Sequence, residues 1–106
     1  ERYGLPMFIT ENGLSCTGKV YRDGKVHDAD RIDFLARYLE KLSEGIHAGA
    51  DVRGYFQWSL LDNFEWHSGY RERFGLVYVD YATGQRIPKD SAFWYGEVAA
   101  TNGQSI

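Results

Sequence analysis

Read by polarity, the chain opens on a continuous apolar run, Met7-Phe8-Ile9, introduced by Pro6 and halted by Glu11-Asn12-Gly13. A run without polar alternation predicts a strand buried on both faces. The next stretch, Leu14 to His27, is polar and glycine-rich and predicts a long surface loop, with Asp23-Gly24 as a tight turn between Val20-Tyr21 and Val26. Ile32, Leu35, Ala36, Leu39, Leu42 and Ile46 then recur at spacings of three and four, behind Asp28 and Asp30 as N-cap candidates and ahead of Gly49. That spacing predicts an amphipathic helix that stops before Gly49.

A second strand is predicted from Val52 to Trp58, its end running into Ser59-Leu60-Leu61-Asp62-Asn63-Phe64-Glu65-Trp66. Leu76-Val77-Tyr78-Val79 and Gln85-Arg86-Ile87 flank a turn at Ala82-Thr83-Gly84 and read as a hairpin, and Ser91 to Ala100 reads as a closing helix. Strand, helix, strand in this order argues for an α/β fold with parallel strands, since a parallel crossover needs a helix-length connection. Two such units do not make a stable fold by themselves.

Composition narrows the function classes. Hydrophobic residues make up 43% and aromatic residues 16% of the 106, far from the make-up of a disordered chain. A net charge of −3 with both signs interspersed leaves no basic stripe for phosphates, which argues against a nucleic-acid partner. The apolar runs fall far short of the roughly 20 residues that cross a bilayer, so no membrane partner is expected. Cys16, the single cysteine, cannot form an internal disulfide and hints at a reducing, cytoplasmic-type compartment. Nothing in the pattern calls for a metal or an organic cofactor.

In parallel α/β architectures ligands sit beyond the carboxyl ends of the strands. The first strand ends in Thr10-Glu11-Asn12-Gly13, and the second in Trp58, with Glu65-Trp66 shortly after. Indole faces stack on sugar rings while carboxylates accept paired hydroxyl hydrogen bonds, so this grouping suits a carbohydrate. The residues alone leave two readings open: a sugar site, or core aromatics beside a solvated loop charge. A lone Glu after a strand is more often a loop hydrogen-bond acceptor or a helix cap than a nucleophile.

Four segments, Phe8–Gly13, Gly54–Trp66, Arg73–Tyr81 and Lys89–Tyr95, resemble glycoside hydrolase family 1 in order and approximate spacing. The resemblance implies a (β/α)8 barrel that hydrolyses β-glycosides with retention. It makes this chain the C-terminal part, with 7–10 as the seventh strand, 30–47 its helix, 52–58 the eighth strand and 91–100 the last helix. It further implies Glu11 as catalytic nucleophile, Glu65 and Trp66 as binders of sugar hydroxyls, Trp58 as the platform under the ring, and Phe74 as an aromatic lining the pocket.

The acid/base of that family comes from an Asn-Glu-Pro motif, which is absent here. A barrel of this type needs about 250 residues, so a complementary N-terminal segment, in the same protein or a second chain, is the implied partner alongside a β-glycoside substrate. Local reasoning would pair Glu11 with Glu65 as nucleophile and acid; the resemblance argues against it. His67 follows Trp66 where the family tends to carry a small residue, and reads as a solvent-facing rim residue or a leaving-group contact. His27 and His47 read as structural. Rival functions are a phosphoglycosidase, whose sugar phosphate Glu65 would repel, a sugar-binding module without catalysis, and a self-associating barrel fragment.

Overall fold

The computed structural model describes residues 3–106. Its elements run β1 (Met7–Asn12), α1 (Ala29–His47), β2 (Val52–Gln57), a 3-10 turn at Trp66–Ser68, β3 (Val77–Val79), β4 (Arg86–Pro88) and α2 (Asp90–Ala100). β1 and β2 pair in parallel across the α1 crossover, and β3 and β4 pair antiparallel with Tyr78 opposite Ile87. Among the described residues these are two separate two-stranded sheets, and the strands do not close on themselves. The body is a slab of 47 × 32 × 18 Å.

Each expected element is present, with shifted ends. β1 continues through Glu11 to Asn12, β2 stops one residue before Trp58, and the helices begin at Ala29 and Asp90. The expectation of a first strand buried on both faces fails in this chain. Met7 and Phe8 are 44% and 58% exposed, because the sheet has only two strands and nothing covers the face that Phe8 shares with Phe56. The stretch before α1 folds as a loop, turned by Gly24 at φ 78° with Tyr21 N–H donating to the Lys25 carbonyl.

The interior is more ionic than oily. Val26, Leu35, Leu76 and Val98 are the buried hydrophobic residues, against Asp28, Arg31, Ser59, Asp62, Lys89 and Ser91 among the polar ones. Asp28 does occupy the N-cap position of α1, yet its carboxylate makes no cap bond there. It accepts instead from the Ser91 N–H at 2.9 Å on Oδ1 and the Ser91 hydroxyl at 2.5 Å on Oδ2, and so caps α2, while Arg31 Nη1 also donates to Oδ2. Arg31 also donates to the carbonyls of Leu14, at 3.2 Å, and Arg73, at 2.7 Å, tying the loop after β1 to the loop before β3.

At the same corner His27 bridges Asp90, at 2.7 Å, and Asp23, at 2.8 Å. The hydrogen bonds to Asp90 and then Asp23 raise the His27 pKa above its ordinary value. A raised folded-state pKa stabilises the fold below the unfolded value, about 6.5, and that contribution is lost as pH rises through the folded value. His27→Ala is therefore expected to lower the thermal midpoint at pH 6 and to leave it almost unchanged at pH 9, as read by scans across that range.

Candidate active site

The site grows from the end of the parallel pair. Trp58 N–H donates to the Asn12 carbonyl at 2.8 Å, so the last residue of β1 is fastened to the residue just past β2. Glycine is required next. A Cβ built on Gly13 would fall on the Trp58 carbonyl oxygen, far inside contact distance, so only a residue without a side chain lets the two chains approach this closely. Thus Glu11, two residues back, and Trp58 share one strand-end corner.

Trp58 Nε1 donates to Glu65 Oε1 at 2.9 Å, which draws the carboxylate in beside the indole. A tight turn holds that carboxylate's backbone, with Glu65 N–H donating to the Gly69 carbonyl at 2.7 Å and Ser68 N–H to the Glu65 carbonyl at 2.9 Å. Trp66 opens this turn at φ 44° and is 82% exposed, its ring meeting only the edge of Phe64 among the aromatic contacts. Phe64 in turn meets Tyr70, and Tyr70 meets Tyr81 at 4.5 Å. Phe74 is half-buried, and its carbonyl accepts from Ser59 N–H at 3.0 Å, which draws it toward the Trp58 corner.

Glu11 itself is exposed and makes no hydrogen bond or ion pair with any described residue. β1 carries one residue more than β2 between the pairs Ile9–Tyr55 and Asn12–Gln57, so the ladder is irregular where Glu11 sits. Such irregularities re-aim side chains. The result is a carboxylate unpaired among the described residues, one position before the residue fastened to Trp58, whose indole is bonded to a second carboxylate. His67 lies exposed on the 3-10 turn without a partner among the described residues. No described group of His, Cys, Asp and Glu side chains is arranged to hold a metal, and no helix of the described residues is long and apolar enough to cross a membrane.

A family model described as Glycosyl hydrolase family 1 matches residues 1–104. The chain belongs to glycosyl hydrolase family 1. It is similar to β-glucosidase A of Thermotoga maritima, 51% identical over 104 residues that cover 97% of this chain and 23% of that protein. It is also similar to a bifunctional β-D-glucosidase/β-D-fucosidase of Bifidobacterium breve, 56% identical over 87% of this chain and 21% of that protein. Among solved structures, the Thermotoga maritima β-glucosidase in complex with deoxynojirimycin superposes with a TM-score of 0.91 at 51% identity, over 92% of this chain and 22% of that one. The family 1 chain thus spans about a fifth of the length of these relatives.

Around this corner stand residues that no local sequence motif marks. Asp62 has a fully buried carboxylate that receives Arg73 Nη1 at 2.7 Å, Lys89 Nζ at 2.9 Å and Gly75 N–H at 3.0 Å. It clamps 59–62 against 74–77, where Leu76 N–H donates to the Ser59 carbonyl and Asp62 N–H to the Val77 carbonyl. That clamp fixes the backbone beside both Trp58 and Phe74: Ser59, which follows Trp58, and Gly75, which follows Phe74. The signal available for Asp62 was its place inside the longest family segment; no local pattern marks it as buried.

Proposed function

We propose that this chain supplies the nucleophile half of a retaining β-glycosidase of the β-glucosidase type. In this reading it is the last two βα units of a single (β/α)8 catalytic barrel, β1 and β2 being the seventh and eighth strands. The observation that carries it is the strand-end corner: Glu11, exposed and unpaired among the described residues, one position before the residue fastened to Trp58, whose indole N–H is bonded to Glu65. The similarity to β-glucosidases over nearly the whole chain supports the substrate class.

The sugar stacks on Trp58, its hydroxyls bond Glu65 and Trp66, and Phe74 lines the pocket. A Glu11 carboxylate oxygen attacks the anomeric carbon as the bond to the leaving oxygen breaks. A carboxylic acid about 5–5.5 Å away gives that oxygen its proton. Water then attacks the glycosyl ester, loses a proton to the same group, and releases the sugar with Glu11 regenerated.

The acid belongs to the complementary N-terminal barrel segment, because the Asn-Glu-Pro motif that the resemblance makes its source does not occur in this chain. Glu65 would repel a sugar 6-phosphate, so unphosphorylated β-glycosides are the substrates. The isolated chain is inactive in this reading. The test is covalent capture: residues 1–104 replace the matching segment of the Thermotoga maritima enzyme, and the graft is incubated with an activated 2-fluoro-β-glucoside. Peptide mass analysis should find one added sugar on the peptide that holds Glu11. A label on any other carboxylate, or turnover by the isolated chain, refutes the assignment.

A further inference from the structure

Glu11 has no side-chain bond to any described residue, and the ladder is irregular at its position, so within this chain its placement follows the nearest fixed point along it. That point is Asn12. Its main-chain carbonyl accepts from Trp58 N–H at 2.8 Å, and its side-chain Oδ1 accepts from the Tyr55 hydroxyl at 2.7 Å. Both donors belong to β2 or to the residue that follows it, so the strand that ends at the sugar platform grips the peptide that carries the nucleophile from two directions.

From this geometry we infer that Tyr55 is a positioning residue for Glu11, acting through the Asn12 side chain. The inference rests on the reading of Glu11 as nucleophile. Without Tyr55 the Asn12 peptide keeps its ladder pairing opposite Gln57 and its bond to Trp58 but loses the side-chain tie, and is freer to tilt and shift Glu11 along the bulge. Among the described residues no neighbouring side chain replaces that tie: Gly13 on the far side has none, and Thr10 on the near side makes no side-chain bond. A reacting carboxylate has to be held within about 0.5 Å of its productive place, and the hydroxyl is the group that closes this freedom. Tyr55 is half-buried, and burial, with Tyr95 adding to it, pushes its pKa up to about 12, so it remains a donor throughout the range in which a glycosidase works.

The experiment uses the same graft on the Thermotoga maritima enzyme and follows hydrolysis of an aryl β-glucoside. Tyr55→Phe keeps the ring and removes only the donor. A roughly 10- to 100-fold fall in kcat with KM within about twofold is expected, the loss that a small misplacement of a reacting group produces. Asn12→Ala should do the same, and the double variant should be no worse than the poorer single, because both break one bond. The thermal midpoint of each variant reads stability separately.

A kcat for Tyr55→Phe within twofold of its parent, or single losses that multiply in the double variant, overturns the inference. Should Tyr55→Phe not fold, Asn12→Ala is judged on the same kcat criterion. Failure of the underlying reading shows up elsewhere, as turnover retained by Glu11→Gln in the same graft.

Discussion

Glu11→Gln, made in the grafted barrel, is expected to cut turnover of an aryl β-glucoside on the order of 10⁴- to 10⁶-fold, the scale set by removal of a covalent nucleophile. Glutamine matches the carboxylate in shape but cannot form the glycosyl ester. Sugar binding should change little, since the groups assigned to it are Trp58, Glu65, Trp66 and Phe74. Steady-state kinetics with isothermal titration of a monosaccharide inhibitor separates the two effects. The Glu11 side chain makes no hydrogen bond or ion pair with any described residue, so its replacement removes none from the fold. A large loss with an unchanged melting midpoint therefore reports chemistry. If the parent graft binds sugar but turns nothing over, and Glu11→Gln binds equally well, the non-catalytic sugar-binding reading takes its place.

The parts that could be read from the sequence are those whose cause is local. The spacing of Ile32, Leu35 and Leu39 writes α1 directly, and Leu35 is the residue of that face that becomes fully buried. The apolar run at Met7–Ile9 writes a strand, but its burial was misjudged, since strand propensity is carried by the chain while the cover over Phe8 is not. Gly13 reads as a stop signal, and its actual cause is the approach of Trp58 from 45 positions downstream. Asp28 reads as a cap for the helix it precedes; its carboxylate serves α2, 63 positions away. Charges at Arg31, Asp62 and Lys89 look in sequence like any solvated charge, and only the fold brings them together. The Tyr55–Asn12 bond, 43 positions apart, is invisible for the same reason.

Asp62→Asn is expected to be the most destabilising single substitution in the chain, costing about 3–5 kcal/mol, because removing one partner of a buried ion pair leaves the other charge uncompensated. Here two cations lose their counter-ion. The Asp62 side chain is 0% exposed and that of Lys89 1%, so water cannot replace what is lost. Arg73 is better insured: it also donates to the Val79 carbonyl at 2.9 Å and lies over the rings of Tyr78 and Tyr81. The cost therefore falls mainly on Lys89, whose pKa is already held down by burial, with the Asp62 hydrogen bond opposing that fall. Loss of that bond lowers it further, and a lysine that binds its proton less well folded than unfolded makes stability rise with pH up to the unfolded value, about 10.4. Urea unfolding of the grafted barrel should accordingly show a deficit that is largest near neutrality and shrinks toward pH 10. A deficit independent of pH would assign the loss to the Gly75 N–H bond and the packing around it, and would remove Lys89 from the account. Since the Asp62 clamp also fixes the backbone beside Trp58 and Phe74, whatever enzyme remains folded should show a raised KM, linking the buried charge to the sugar platform it supports.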